Sequence, residues 1–394
     1  MKWFILLLLV AVASCQKNDK KYARTPLGDN IDKASARILH ETYILATDTN
    51  IVSSPLGVIF LLAIYSSGTQ GKMRNEITKL LGETDYIQMT DKYSNLSSEF
   101  STMDSNYLNL ANKIYLAEKF TLNKKFEKTA LAYEAEVESI NFHDTEKAAN
   151  TINQWANKKL RGIITNPVSR SDLRPDASIA LIDLIYFKGR LQEGFEASLT
   201  ENKDFYTNET TTVKKMMMHY RGTLLFKDDS QLGAKVVELP YQEPGFRMVV
   251  ILPKEVEGLP EVLEKVARTG LLDYVFGMRT SRSDIDLYLP KFDIKSSLNY
   301  AEILPEVGVN EIFSKGAAGV VDNDVVTVSN IFQEAAVRVD EAGSSAGVTG
   351  GSNAGPKASD SRASSQAWEF IADRPFLFTI LYHDVVVFLG TYTH

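Results

Sequence analysis

In the first third of the chain, hydrophobic residues recur every three or four positions, the spacing of one helix face. Ile31 to Leu45 follows this pattern, with Asp29 or Asn30 as candidate N-caps. Val58 to Tyr65 is so apolar that a helix there must be buried on every side. Thr145 to Leu160 repeats the helical spacing. These patterns predict three helices, of which the second is central to the core.

From Ala177 onwards the pattern changes to that of strands. Ala177 to Phe187 is a nearly continuous apolar run, which is typical of a strand covered on both faces. Val236 to Leu239 and Arg247 to Leu252 flank a loop rich in turn-forming residues and predict a hairpin. Ile285 to Leu289 and Leu377 to Leu389 add further strands. We interpret the chain as one α+β domain with large sheets.

The first 15 residues have the features of a signal peptide. Lys2 precedes 11 apolar residues, Trp3 to Ala13, and Ala13 and Cys15 are the small residues that suit a cleavage site. A membrane helix needs about 20 apolar residues, so this run is too short to span a bilayer. We expect cleavage after Cys15, a polar leader over residues 16–30 and a secreted, extracellular product. The alternative is a lipoprotein, in which Cys15 is kept and lipidated.

Composition narrows the functional classes. The 394 residues include one cysteine and carry a formal charge of −7, so a disulfide scaffold is excluded and a nucleic-acid partner is not expected. The five histidines are scattered, and no phosphate-binding glycine loop occurs where a strand meets a helix, so we expect no metal and no cofactor. Asn95 and Asn208 begin glycosylation sequons, which matter only in a eukaryotic secretory route.

Residues 343–367 consist largely of Gly, Ser and Ala, with Val348 as the one branched aliphatic residue. Such a composition cannot bury a core, so we expect an exposed segment between two strands. Gly343 to Gly347 also matches the G-x-S-x-G turn of a hydrolase nucleophile, but Val348 to Ser352 is a very poor start for the helix that this turn requires. An acid and a base for this enzyme hypothesis would come from residues downstream: Asp360, Asp373, His383 and His394.

Val339 to Ser344, followed by small residues, resembles the hinge of a serpin. Other segments are similar to that family in the same chain order: Asn50 to Leu56, Leu184 to Gly189, Val237 to Tyr241, Met248 to Pro253, Leu289 to Phe292, Val307 to Phe313 and Phe370 to Gly390. The resemblance implies a serpin fold, a single domain over residues 31–394 with three β-sheets surrounded by helices. It also implies an exposed reactive-centre loop at about residues 341–367.

The function that the resemblance implies is inhibition of a serine-type endopeptidase, not catalysis by this chain. The protease attacks a bait bond in the loop and forms an acyl-enzyme, and the cut loop then inserts into the main sheet as a new strand. The hinge that starts this insertion corresponds to Glu341, Gly343, Ser344, Ala346 and Val348. The side chains that turn into the sheet are then small and uncharged, so insertion is permitted.

Two bonds are candidates for the bait. Lys357 is the seventeenth residue counted from Glu341, the usual register of the family, which favours the Lys357-Ala358 bond. Arg362-Ala363 is the alternative, because it stands at a more usual spacing from Pro375. Both bait residues are basic, so the expected partner is a trypsin-like serine protease with an acidic group in its specificity pocket. We expect a monomer.

The resemblance leaves two further questions open. The first is whether a glycosaminoglycan activates the inhibitor; because the Lys and Arg residues are dispersed, we expect no dependence on such an activator. The other is a non-inhibitory serpin that acts as a ligand carrier, a chaperone or a protease substrate. Asp183, Leu191 and Gln333 depart from the Asn, Trp and His that are usual in many members, all at or near the strands that part. Opening of the sheet is therefore expected to be tuned differently here.

Overall fold

The computed structural model describes residues 23–47, 49–164, 166–341 and 367–394, which form helices packed around three sheets. The helices are α1 (Pro26–Leu45), α2 (Pro55–Ser66), α3 (Gly71–Leu80), α4 (Tyr86–Ser101), α5 (Lys124–Ala132), α6 (Thr145–Lys159), α7 (Leu259–Thr269), α8 (Leu272–Val275), α9 (Tyr300–Ile303) and α10 (Glu311–Ser314). Single 3₁₀ turns lie at Arg170–Asp172 and Ala197–Leu199. Within these ranges, no helix combines the length and hydrophobicity needed to cross a bilayer.

The described residues form 16 strands, which are distributed over the three sheets. They are β1 (Ile51–Ser53), β2 (Leu108–Ala117), β3 (Glu136–Ile140), β4 (Ile179–Phe187), β5 (Glu201–Tyr206), β6 (Thr212–Gly222), β7 (Leu225–Asp229), β8 (Ala234–Pro240), β9 (Phe246–Pro253), β10 (Arg279–Thr280), β11 (Ile285–Pro290), β12 (Phe292–Asn299), β13 (Val328–Val339), β14 (Trp368–Ile371), β15 (Phe376–Tyr382) and β16 (Val385–Tyr392). The sheet orders are β12-β13-β4-β2-β3, β14-β11-β6-β5 and β1-β16-β15-β9-β8-β7-β10.

Helix α2 is the centre of the core, as its sequence predicted. All 12 of its residues are buried, because it is apolar on every side. It packs between the five-stranded sheet and β16. Ser54 occupies the N-cap position of this helix without a side-chain capping bond.

Helix α1 begins five residues earlier than the hydrophobic spacing indicated, at Pro26 and not at Ile31. Its cap is Thr25, whose hydroxyl oxygen accepts a hydrogen bond from the Gly28 amide at 3.0 Å, and neither Asp29 nor Asn30 has this role. Pro26 suits the first helical position because its missing N–H would have no partner there. The last residues of the predicted polar leader are therefore helical.

The five-stranded sheet is covered on both faces. Leu181 and Ile185 of β4 belong to the main hydrophobic core, whereas Ala180 and Leu184 pack in a second cluster with Trp155 of α6. This double burial explains why β4 reads as an apolar run without alternation. Because both faces are buried, water has little access to the backbone groups that would lose their partners if two strands of this sheet separated.

The predicted hairpin is formed by β8 and β9, which pair antiparallel from Ala234↔Pro253 to Pro240↔Arg247. It encloses a buried ion pair: Arg247 Nε lies 3.1 Å from Glu238 Oε2, with side-chain exposures of 1% and 6%. Removing one partner of such a pair leaves an uncompensated charge buried in the core, which is strongly destabilising.

Glu238→Ala should lower the free energy of unfolding by about 3–5 kcal/mol, because it leaves the Arg247 charge buried without its carboxylate. A matched control is Arg268→Ala, which breaks an Arg–Glu pair of α7 whose side chains are 65% and 56% exposed. That change should cost less than about 1 kcal/mol. Denaturant unfolding of the three proteins measures the difference, and equal losses would contradict the assignment.

Candidate functional site: the hinge and the strand pair below it

The strand that leads into the small-residue segment is hydrogen-bonded directly to β4. β13 pairs with β4 in parallel from Val328↔Ile179 to Val337↔Phe187, with one irregularity between Val328 and Asn330. Its other neighbour, β12, is antiparallel. The chain leaves this sheet at Glu341 and returns at β14, the edge strand of the four-stranded sheet. Residues 342–366 therefore connect two sheets.

Glu341 is held from three sides where the chain leaves the sheet. Its carboxylate accepts hydrogen bonds from Lys291 Nζ at 3.0 Å and Thr200 Oγ1 at 2.9 Å, and its carbonyl oxygen accepts one from the Phe195 amide at 2.8 Å. Burial alone would raise the pKa of Glu341, but Lys291 and Thr200 outweigh burial and the pKa is lowered. The carboxylate is thus ionised and bound at neutral pH. This fixes the start of the hinge.

A hydrogen-bond network joins the β4–β13 pair to the start of α2. Gln333 of β13 donates from Nε2 to the Ser54 carbonyl oxygen and to Asp183 Oδ2 of β4, the latter at 2.6 Å. Its Oε1 accepts from the Ser54 amide at 2.9 Å and from Tyr300 Oη at 3.0 Å. Tyr300 Oη also lies 2.7 Å from Ser53 Oγ. Gln333 therefore uses its full hydrogen-bonding capacity to tie together both strands and the helix.

Two carboxyl groups of this strand pair have strongly raised pKa values. Burial raises the pKa of Asp183 to about 7, which the hydrogen bond from Gln333 only partly offsets. Burial likewise raises the pKa of Glu334 to about 7 on the opposite face, against the opposing effect of Ser297. Each group therefore changes charge near neutral pH.

The structure brings only part of the predicted site together. Of the predicted hinge, Glu341 is described, whereas Gly343, Ser344, Ala346 and Val348 lie outside the described residues. Both bait candidates, Lys357-Ala358 and Arg362-Ala363, lie outside them as well. Sequence reasoning missed Lys291, Thr200 and Tyr300 as members of the site. Lys291 had a signal, because it stands in one of the segments that resemble the family, but no sequence pattern pairs it with Glu341.

The two sequons differ in their surroundings. Asn208 lies in the turn between β5 and β6, where its Oδ1 accepts a hydrogen bond from Thr210 Oγ1 at 3.0 Å. It lines an open groove of about 780 Å³ together with Tyr43 and Leu259. Asn95 is exposed, but it lies within α4, and the hydroxyl of its sequon residue Ser97 is buried and donates to the Tyr133 carbonyl at 2.8 Å. Asn208 itself is half-buried, but its sequon residue Thr210 is exposed, whereas Ser97 is buried.

The nucleophile of the hydrolase hypothesis is not among the described residues, and two of its described partners are far apart. Asp373 precedes β15 and His383 follows it, so the two residues stand at opposite ends of a seven-residue strand, roughly 20 Å apart. Asp373 accepts a hydrogen bond from Arg374 Nε at 2.8 Å. Ser344, Ser345 and Asp360 lie outside the described residues. Across the described part of the chain, no group of three or more His, Cys, Asp or Glu side chains could hold a metal ion.

Comparison with known proteins decides the family. Residues 29–394 match the model of the serpin family, described as serine protease inhibitors. The chain is a serpin. It is 28% identical to antichymotrypsin-2 of Bombyx mori over 92% of this chain and 96% of that protein, and 26% identical to antitrypsin of the same species over the full length of both. The structure of human thyroxine-binding globulin with its ligand covers 93% of this serpin and 98% of that chain at 22% identity, with a TM-score of 0.83.

Family membership confirms the predicted fold and corrects one hypothesis. The α+β architecture with three sheets is that of the serpins. The family is described as serine protease inhibitors and not as enzymes, so the hydrolase interpretation of Gly343 to Gly347 is wrong. The two named Bombyx relatives have almost equal identity to this serpin but names that refer to different proteases, so overall identity does not fix the target.

Lys291→Met should weaken the hinge anchor and lower the free energy of unfolding by about 0.5–1 kcal/mol at pH 7, a small value because Lys291 is 38% exposed and solvent screens the pair. Since the pKa of Glu341 is lowered in the fold, this contribution is present above the ordinary pKa and is lost as the pH falls through the lowered value. The loss on mutation should therefore vanish in acid.

The control for this prediction is Lys214→Met. It breaks a more exposed pair with Asp204, in which the Lys and Asp side chains are 65% and 50% exposed, and should have almost no effect. Denaturant unfolding at pH 7 and below pH 4 provides the measurement. A Lys291→Met loss that persists unchanged in acid would show that the ion pair is not its cause.

Proposed function

We propose that this serpin is an inhibitor of trypsin-like serine proteases that traps its target by insertion of the cleaved reactive-centre loop between β4 and β13. The observation that carries the proposal is the direct parallel pairing of these two strands, immediately followed by Glu341 and the small-residue segment. The five-stranded sheet is closed where a sixth strand would enter.

Strand direction favours insertion at this position. A segment that folds back after β13 runs antiparallel to β13, and it is then antiparallel to β4 as well, because those two strands are parallel to each other. Insertion would replace one parallel ladder with two antiparallel ladders, which are slightly more stable per residue. Insertion of the loop would therefore stabilise the sheet.

The residue types of the hinge meet the packing demand of this slot. The face of the sheet towards α2 belongs to the main core, so side chains that enter it must be small and uncharged. Ser344, Ala346, Val348 and Gly350 satisfy this condition if alternate residues face inward. Gly347, Gly350 and Gly351 oppose insertion by roughly 0.5–1 kcal/mol each relative to alanine. This cost is small beside the gain from completing a buried sheet.

The proposed bait is Lys357-Ala358, with Arg362-Ala363 as the alternative. Either residue would place a cation in the acidic pocket of a trypsin-like protease. The signal peptide predicted over residues 1–15 supports secretion, and Asn208 is the better placed candidate for glycosylation. A glycosaminoglycan activator remains without support. A non-inhibitory serpin is the competing function, and the next experiment separates the two.

Mixing the chain with bovine trypsin should give a complex that survives denaturing electrophoresis, because the acyl bond is kept. Lys357→Ala should abolish this complex and slow inhibition by at least about 100-fold, since the trypsin pocket then lacks its cation. Arg362→Ala is the matched control and should leave both unchanged. The mass of the released C-terminal peptide identifies the cut bond. Cleavage without any complex would instead indicate a substrate or a non-inhibitory serpin.

Ala346→Arg should convert the inhibitor into a substrate, because a guanidinium cannot enter the apolar face of the sheet without a partner. Ser345→Arg is the control: its side chain would leave by the other face, where Arg338 at the same end of β13 is 47% exposed. Moles of chain cut per mole of trypsin inhibited should rise severalfold for Ala346→Arg and little for Ser345→Arg. Equal effects of the two changes would contradict insertion with alternate residues inward.

A further inference from the structure

Three polar side chains form a buried row across the five-stranded sheet. Gln333 of β13, Asp183 of β4 and Asn112 of β2 are register partners, and they are 1%, 0% and 3% exposed. Directly opposed residues project from the same face of a sheet. That face lies on α2, where a methyl group added to Gly57 would overlap Asp183 Oδ1. We refer to Gln333, Asp183 and Asn112 as the polar row.

The hydrogen bonds of the polar row are incomplete. Asp183 Oδ2 accepts from Gln333, but within the described ranges Asp183 Oδ1 has no hydrogen-bond partner, and neither do Oδ1 and Nδ2 of Asn112. An ionised Asp183 would leave a buried carboxylate with a single donor, which is costly. A protonated Asp183 has an O–H to donate, and the unpartnered Asn112 Oδ1 stands directly opposite as an acceptor. The neutral form of Asp183 therefore suits the closed sheet better.

Among the residues that the structure describes, none supplies a compensating cation to Asp183. Facing it are Gln333 from β13, Asn112 from β2, Ser54 and Gly57 from the start of α2, and Tyr300 from α9. Ser53 of β1 joins the group through Tyr300. Tyr300 is the one titratable member, and burial raises its pKa far above the neutral range, so it stays uncharged. Titration of the group near neutral pH therefore rests on Asp183.

We propose that Asp183 is a proton-controlled latch on the β4–β13 pair: its neutral carboxyl keeps the pair together by accepting from Gln333 of β13 while its proton is directed to Asn112 of β2, and its ionisation promotes separation of β4 from β13. The latch would regulate the step at which the loop enters the sheet, so its biological use rests on the proposed function. The coupling between protonation and strand separation does not.

The direction of the pH effect follows from proton linkage. In the closed sheet Asp183 keeps its proton up to a pKa of about 7, whereas an Asp exposed by strand separation titrates at about 3.9. Between these values the open form binds fewer protons, so opening becomes easier as the pH rises, by at most about tenfold per pH unit. Above about pH 7 both forms are ionised and the effect levels off.

The test uses a fluorescent synthetic peptide with the sequence of residues 343–356, which would insert between β4 and β13 of the uncleaved chain. The rate of insertion is measured between pH 5 and 8. The rate should rise severalfold from pH 5 to pH 7 and level off above. Asp183→Asn has the same shape but cannot ionise, and it should remove most of this rise. Glu334→Gln is the matched control on the opposite face, and it should retain the part of the rise that Asp183→Asn removes.

A wild-type rate that is flat between pH 5 and 7, or an Asp183→Asn rate with the wild-type slope, would overturn the latch. Thermal unfolding gives a second readout that needs no peptide: Asp183→Asn should be stabilised relative to the wild type more at pH 8 than at pH 5, and equal differences would overturn the proposal. If the chain traps trypsin but shows neither pH effect, the latch is rejected and the inhibitory function is not. If the pH effects are found but trypsin is not trapped, the inhibitory function is rejected and the latch is not.

Discussion

The parallel contact between β4 and β13 is the constraint on which the rest of this serpin depends. Both faces of the strands are buried, one against the core around α2 and the other against α6, so the pair cannot loosen without disturbing two layers. Helix α2 can be apolar throughout because this sheet covers it. The same contact lies where a strand antiparallel to both neighbours could enter. One interface therefore stabilises the fold and is also the place where, in the proposed function, the cleaved loop inserts.

The contacts of Glu341 fix where the chain leaves the sheet, which is the point from which the proposed insertion would start. Lys291 follows β11 in the four-stranded sheet and immediately precedes β12, so a single ion pair connects the hinge to the junction of two sheets. With that point fixed, the number of residues from Glu341 determines how deep a loop residue can reach on insertion. This is why the count of 17 residues to Lys357 carries weight in the proposal.

The sequence was sufficient for features that depend on local pattern and insufficient for those that depend on register. The apolar run before Tyr65 and the hairpin around Pro240 were predictable, because burial on all sides and turn chemistry show in neighbouring residues. The start of α1 was missed, since Thr25 and Pro26 are polar-segment residues whose capping role lies outside the hydrophobic spacing. The contact of Gln333 with Asp183 joins positions 150 residues apart, and no local signal specifies it.

The polar row also bears on how a closed sheet can remain able to open. A strand pair held only by apolar packing would resist separation at every pH, because the hydrophobic contribution hardly depends on protonation. Replacing part of that packing with Gln333, Asp183 and Asn112 gives up stability where an incomplete hydrogen-bond network is buried. In return, the strength of the contact depends on a single proton. If the two strands part as the proposed function requires, a buried carboxyl between them is better understood as a means of setting the ease of opening than as a defect of the core.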